Sequence, residues 1–435
     1  MDSKICVLGL GYIGLPTASI LAVNGFWVTG VDTNPDVVDI VNQGGVHIYE
    51  PGLETMVKAA TKSGHLLART KPEPSDVFII AVPTPIDENK HADLNAVSDA
   101  SESIVPYLRE GNLVILESTV PPGTSQEIVV PILGRSGLNA GTEFHVVHAP
   151  ERVLPGQIMR ELVENDRILG GSNQKAAERA RELYNKFVSG NIYLTDSTTA
   201  ELVKLVENTY RDVNIALANE IARISARLKT NVWEVIDLAN KHPRVNVLQP
   251  GPGVGGHCIP VDPWFIVESV PEQARLIKLA RITNDEMPAY ISESIMVMLN
   301  GIDEPVVTVL GVAYKPNVDD DRESPSYKVI TQLEESGCSV RVHDPYVLPQ
   351  IFLEEVIQGS DCIAWLVDHQ EYQDLDPKIL TPIMRTKNLY IAKNLSSEQP
   401  WIEAGFTIKQ LGKGLKTERV PESQARVSIH GTSNG

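Results

Sequence analysis

A short, mainly apolar run from Lys4 to Leu8 ends in Gly9; helical spacing takes over from Tyr12 to about Asn24, and a second strand-like run follows from Phe26 to Asp32. Strand, tight turn, helix and strand in that order predict a βαβ unit. Further strand-like runs come at Val77 to Pro83, Leu113 to Glu117, Phe144 to His148 and Arg167 to Gly170, separated by helical or turn-rich stretches. Continuous rather than alternating apolar runs suit strands covered on both faces, as in a parallel sheet packed between helices. A first α/β domain is expected over residues 1–195.

The period changes after Ser197. Leu202, Val203, Val206, Val213, Leu217 and Ile221 recur at helical spacing as far as about Leu228 with no Gly or Pro, and further helix is predicted from Val232 to Asn240 and from Glu272 to Leu299. Residues 196–300 therefore read as an all-helical module suited to a connector or a dimer interface. Strand and helix alternate again through Val306 to Tyr314, Ser339 to Asp344, Cys362 to Val367 and Leu389 to Ala392, which predicts a smaller parallel sheet over residues 301–415. The polar remainder, 416–435, is expected to be disordered.

Composition narrows the function classes. With 42% hydrophobic and 22% charged residues over 435 positions, the chain is globular and long enough for two or three domains. The cysteines, Cys6, Cys258, Cys338 and Cys362, are scattered without a CxxC pair, so no metal site or secreted disulfide framework is expected and a reducing, cytoplasmic setting is. No apolar run is long enough to span a membrane. Lys and Arg total 38 against 56 Asp and Glu, a formal charge of −18, which disfavours nucleic acid or an anionic membrane as partner. An anionic ligand would need a local basic pocket.

The chemistry sits in the turns. Gly9-Leu10-Gly11-Tyr12-Ile13-Gly14 joins the first strand to its helix as GxGxxG, with Asp32 closing the next strand; the glycines admit a pyrophosphate to the helix N-terminus, and the carboxylate suits the ribose hydroxyls of NAD rather than NADP. Residues 250–263, PGPGVGGHCIPVDP, hold Cys258 on a Gly/Pro loop where a thiolate could attack an aldehyde, with Asp262 four positions on to orient water or hydroxyl. Lys204, Asn208 and Arg211 share one face of the long predicted helix. Glu207 and Asp212 fall off that stripe, leaving cationic and amide groups without acidic partners, a face that could bind an anion or hold Lys204 as a base. Lys315 and Arg322 follow the first strand of the second α/β domain, a suitable place for phosphate-binding charges.

In order along the chain, GLGYIGLP, VPTP, STVPPGT, HAPERVLPG, ELVKLVENTYRDVNIALANE, HPRVNVLQPGPGVGGHCIPVDP and AYKPNVDDDRESPS resemble the motifs of the nucleotide-sugar 6-dehydrogenase family over roughly residues 4–370. The resemblance implies two Rossmann-like parallel-sheet domains joined by a central all-helical domain, and oxidation of a sugar C6 alcohol to a carboxylate with NAD used twice in succession. It implies that Cys258 captures the aldehyde as a thiohemiacetal and carries the thioester, that Lys204 and Asn208 serve the C6 oxygen, and that Asp262, Thr119 and Glu151 position hydroxyl or water. Cofactor contacts carry over to Gly9, Gly11, Tyr12, Ile13, Gly14, Asp32, Thr84, Thr119 and Arg322. Substrate contacts carry over to Arg152, Val153, Lys204, Asn208, Arg211, His242, Arg244, Gly255, Tyr314 and Lys315, the last two closing over UDP. The loop of Arg244 crosses between subunits in relatives, which implies a homodimer or higher homo-oligomer. ERVLPG with HPRVN looks most like the branch acting on UDP-N-acetylmannosamine, the UDP-N-acetylglucosamine branch being the nearest alternative; YIAKNLSSEQPW departs from the DTKG-like or DGRN-like text of relatives. A two-electron NAD dehydrogenase would share the glycine turn but have no use for Cys258.

Overall fold

The computed structural model describes residues 3–414; the segment expected to be disordered, 416–435, lies outside the described residues. By compactness the chain falls into two units, one made of residues up to 211 with 258–278, the other of 212–257 with those from 279 on. The helical stretch contributes to both, its longest helix being Ser197–Arg227.

The first unit is built on a sheet of β1 (Lys4–Leu8), β2 (Trp27–Val31), β3 (Leu66–Arg69), β4 (Val77–Ile80), β5 (Leu113–Leu116), β6 (His145–His148), β7 (Arg167–Gly171) and β8 (Ile192–Asp196) in the order β3-β2-β1-β4-β5-β6-β7-β8. Successive residues face opposite cores: Ile5, Val7, Ile79 and Ile115 enter one cluster, Cys6, Leu8, Phe78, Ile80, Val114 and Leu116 the other. That two-sided burial explains the unbroken apolar runs, and cutting a residue such as Ile115 back to Ala would cost about 2–5 kcal/mol. The sheet is parallel except where β7 runs antiparallel to β6. After β6 the chain passes through a loop with Pro150 and Pro155 and the short helix Ile158–Glu164, then enters β7 from the end at which β6 finished.

The second unit carries β9 (Val306–Leu310), β10 (Ser339–His343), β11 (Cys362–Trp365), β12 (Asn388–Ile391) and β13 (Thr407–Gln410), all parallel, in the order β10-β9-β11-β12-β13. Val307, Val309, Cys362 and Ala364 pack against the helices Met287–Met298 and Pro325–Glu335 on one face, while Leu310, Ile363 and Trp365 face Tyr372 and Trp401 on the other. The single helix expected from Glu272 to Leu299 is two, Arg275–Asp285 and Met287–Met298, because Pro288 has no N–H to continue the first and sits in the opening turn of the second. Beside it, Asp212 and Arg281 form a fully buried ion pair, with the Asn284 amide donating to Asp212 at 2.8 Å. The strands that the apolar runs did not reveal, β3, β8 and β13, are all at sheet edges, where only part of each strand is buried.

Candidate active site

The order β2-β1-β4-β5 reverses direction between β1 and β4, and the carboxyl ends of these two strands bound a crevice of the kind that binds ligands in doubly wound sheets. Two glycines of the first turn are obligatory here. A Cβ on Gly14 would lie 1.8 Å from the Gly9 carbonyl oxygen, and Gly9, at φ 90°, would drive one to 2.6 Å from the Ala81 oxygen. Gly11 is different: it is half-buried and a Cβ there meets open space, which leaves room beside the turn at the opening of the helix Gly14–Val23. The close Gly9–Gly14 approach and the open space at Gly11 fit a dinucleotide pyrophosphate. Asp32 closes β2 and accepts the Leu10 amide at 3.1 Å and the Asn34 amide at 2.9 Å, which aims its carboxylate at the turn while leaving it half-buried. Across the crevice the Thr84 hydroxyl donates to the Thr119 carbonyl at 2.6 Å, joining the loops after β4 and β5. Tyr12 and Val153 pack on one small apolar cluster with Ile20, Ile158 and Leu162, which brings the cofactor turn and the ERVLPG loop together.

Cys258 is exposed, and its carbonyl accepts the Asp262 amide at 2.8 Å, placing Asp262 one helical turn on, at the start of the helix Asp262–Ser269. Asp262 is buried and accepts from the Asn208 amide at 2.6 Å; burial pushes its carboxyl up to about 6, against the pull of the Lys204 ammonium. The stripe on the long helix is therefore not without acidic partners, as its own sequence suggested: Asp262 arrives from a separate helix. Glu207, set aside as lying off the stripe, binds Arg152, which also donates to the Asp166 carbonyl at 3.0 Å. Arg211 is exposed on the same helix.

Sequence reasoning missed the carboxylates that hold these loops. Glu201, one turn before Lys204, is buried and accepts the Gly123 amide at 2.6 Å and the Ser125 amide at 2.8 Å, tying STVPPGT to the long helix. Glu50 does the same for HAPERVLPG, accepting from Gly156 and Ile158 at 2.8 Å each. Glu151 is buried in an ion pair with Arg167 at 3.0 Å and also accepts the Arg152 amide. Beside that pair Glu117 accepts from Tyr184 at 2.7 Å and from Thr17 at 3.3 Å, and burial together with the Glu151 charge pushes it up to about 7. In sequence Glu201 and Glu50 look like ordinary surface residues, because the amides they serve are between 76 and 108 positions away.

In the second unit the loop after β9, residues 311–322, carries Tyr314, Lys315 and Arg322. Tyr314 lies against Gly255, where a Cβ would come within 2.9 Å of the tyrosine Cβ, and Arg322 makes a paired contact with Asp320 at 2.8 and 2.6 Å. Lys315 lies 5.4 Å from the Tyr314 ring. His242 and Arg244 are exposed on a separate loop, where the Arg244 amide donates to His242 Nδ1 at 3.3 Å. Among the described residues no group of His, Cys, Asp or Glu side chains is placed to hold a metal ion, and no helix is long and apolar enough to cross a membrane.

Family models for the UDP-glucose/GDP-mannose dehydrogenase family match in sequence: its NAD binding domain over residues 3–188, its central domain over 198–286 and its UDP binding domain over 308–397. A UDP-N-acetyl-D-mannosamine dehydrogenase from Methanococcus maripaludis is 50% identical over 424 residues, covering 94% of this chain and 97% of the relative. An NDP-N-acetyl-D-galactosaminuronic acid dehydrogenase from Ralstonia nicotianae is 46% identical over 412 residues, with 90% and 97% covered. The solved structure of a UDP-D-ManNAc dehydrogenase from Pyrococcus horikoshii superposes with a TM-score of 0.89 at 42% identity, covering 94% of this chain and 99% of that one. With family models matched over most of its length and relatives at half identity, the chain is an NAD-using nucleotide-sugar dehydrogenase and belongs to the UDP-glucose/GDP-mannose dehydrogenase family.

Proposed function

We propose that the protein oxidises C6 of UDP-N-acetyl-D-mannosamine from alcohol to carboxylate, taking two NAD+ per sugar, as a cytosolic enzyme. The observation that carries this reading is Cys258 one helical turn from a buried Asp262 that is itself tied to Asn208 and faces Lys204. A nucleophile, an ammonium, an amide and a carboxylate of raised pKa in one place suit covalent capture followed by hydrolysis. NAD+, when bound, supplies the hydride acceptor for each oxidation. The C6 hydroxyl proton passes to the Lys204–Asp262 pair as the first hydride leaves. Cys258 sulfur then adds to the aldehyde carbon as its thiol proton passes to the aldehyde oxygen, so the reactive intermediate stays bound as a thiohemiacetal while the cofactor is exchanged. Lys204 and Asn208 donate to the C6 oxygen whenever it carries negative charge. The thiohemiacetal hydroxyl proton passes to the same pair as the second hydride leaves, and a thioester remains. Asp262 takes a proton from water, the water oxygen attacks the thioester carbon, and the sulfur departs as thiolate and takes up the acid proton, which restores the Cys258 thiol and leaves the carboxylate. Thr119 and Glu151 orient that water and the sugar hydroxyls, Glu151 being held for it by Arg167.

The remaining assignments follow the three matched segments, with an NAD-binding domain to about residue 195, a helical domain to about 300 and a UDP-binding domain to about 415. Asp32 takes the ribose; Arg152, Val153, Arg211, His242, Arg244, Gly255, Tyr314 and Lys315 take the UDP-sugar, and Arg322 the cofactor. The long helix exposes Leu202, Val206, Tyr210, Leu217 and Ile224 at helical spacing, between 40% and 62% exposed, an apolar row that a second copy of the chain would cover in a homodimer. The reading is tested by NADH released per sugar with UDP-N-acetylmannosamine, UDP-N-acetylglucosamine, the N-acetylgalactosamine epimer and UDP-glucose offered separately. Two NADH with the first alone supports chemistry and substrate together; two with another moves the substrate; one with any of them removes the thioester route.

A further inference from the structure

In the second sheet the order β10-β9-β11-β12 reverses direction between β9 and β11, so the loops leaving those strands, 311–322 and 366–369, flank its ligand crevice. One side chain pins the first loop to the second. His369 is fully buried; its Nδ1 lies 2.9 Å from the Asn317 amide nitrogen and its Nε2 lies 3.0 Å from Asp344 Oδ2. The Asn317 N–H can only donate, so Nδ1 accepts and the ring proton of the neutral imidazole is on Nε2, donated to Asp344. Asp344 is fixed in turn: Oδ2 also accepts the Val312 and Ala313 amides at 2.8 and 2.9 Å, and Oδ1 those of Tyr346 and Val347 at 2.9 and 3.0 Å. The Tyr346 ring stacks on the imidazole, centroids 5.0 Å apart. Asn317 returns the contact, its side-chain oxygen accepting the Gln370 amide at 2.9 Å, in a backbone conformation of φ 61° that needs such support.

We infer that His369, oriented by Asp344, is a positioning residue for nucleotide binding: by accepting from Asn317 it sets the loop that presents Tyr314 and Lys315, and it does so without touching the ligand. The inference rests on the reading that this loop binds UDP. Between its anchors at Val312–Ala313 and at Asn317, the loop holds only Tyr314, Lys315 and Pro316, so the imidazole fixes the far end of a very short span. A short span fixed at both ends loses little conformational freedom on binding; fixed at one end, it must be ordered by the ligand.

The test uses the full-length protein and UDP alone as probe in titration calorimetry, with steady-state kinetics alongside. His369→Asn keeps a polar group for Asp344 but is too short to reach Asn317 as well; it should weaken UDP about tenfold and raise KM for the UDP-sugar equally, with kcat and KM for NAD within about twofold, the signature of lost uniform binding. His369→Gln, which can donate at one end and accept at the other, should recover most of the affinity. Hydrogen exchange at residues 311–322 should quicken in His369→Asn and not in His369→Gln. Lys315→Ala separates the inference from the reading beneath it: if that change leaves UDP binding intact, the loop is not the UDP site and both fail. If Lys315→Ala weakens UDP while His369→Asn, folded by its melting curve, binds UDP as wild type does, the inference alone is overturned. A fall in kcat with unchanged UDP affinity would equally overturn it.

Discussion

Both sheets place an aspartate at the end of the strand beside the central turn, Asp32 after β2 and Asp344 after β10, and both aspartates accept amides from the turn after the neighbouring strand. There the likeness stops. Asp32 accepts one amide on each oxygen and is left half-buried, with lone pairs to offer a ribose. Asp344 is wholly buried with four amides and an imidazole on its two oxygens. Those donors favour the charged form and hold its carboxyl far below the usual carboxylate range, although burial opposes them. The same topological position is thus left open to a ligand in one sheet and given over to loop construction in the other, and exposure with remaining acceptor capacity is what separates the two.

Asp262 offers the widest contrast, a buried acid with a raised carboxyl to which the proposed reaction gives a chemical role. Asp262→Asn should slow thioester hydrolysis by about 10²–10⁴-fold, read from NADH release in single turnovers. The same variant should be more stable than wild type by about 1–3 kcal/mol at pH 8, by denaturant titration. The sign follows from the raised carboxyl: the folded state holds its proton more tightly, so this group's contribution is present below about pH 4 and is lost as pH rises to about 6. If the variant is the less stable of the two at pH 8, Asp262 is structural after all.

Asp344→Ala should cost roughly 3–5 kcal/mol, because it strands buried donors, and should appear as a lower melting temperature before any kinetic effect. Asp344 also works in the opposite pH sense from Asp262: its stabilisation is present above about pH 4 and lost as pH falls further. Gly14→Ala, with its Cβ driven into the Gly9 oxygen, should weaken NAD about a hundredfold or collapse the turn. Asp32→Ala should be the mildest, changing stability by less than about 1 kcal/mol while raising KM for NAD about tenfold. Equal losses of stability from Asp32→Ala and Asp344→Ala would erase the distinction drawn between them.

The parts legible in the sequence are those whose causes are local. Glycine spacing announced the first turn because steric exclusion acts between residues five apart, and unbroken apolar runs announced the central strands because both faces are covered. The Cys258–Asp262 relation was visible as one helical turn. What could not be read is what arrives from elsewhere: the Asp262 partner for Asn208, the Glu201 clamp on STVPPGT, Arg167 on Glu151, and Asp344 with His369 beneath the second loop. The edge strands β3, β8 and β13 escaped for a related reason, since their pattern depends on neighbours on one side only, whereas the edge strand β10 kept a readable apolar alternation.

The distribution of sulfur has a practical corollary. Cys6, Cys338 and Cys362 are enclosed in the two sheets and their surroundings, where burial raises each thiol above its ordinary pKa and blunts its reactivity, whereas Cys258 faces solvent. A maleimide dye or a mild oxidant should therefore mark the native protein at a single atom, with no engineered cysteine required. That atom is the nucleophile of the proposed reaction, so one fluorophore would titrate competent sites, and peroxide stress would silence turnover through sulfenic acid formation while leaving the fold intact.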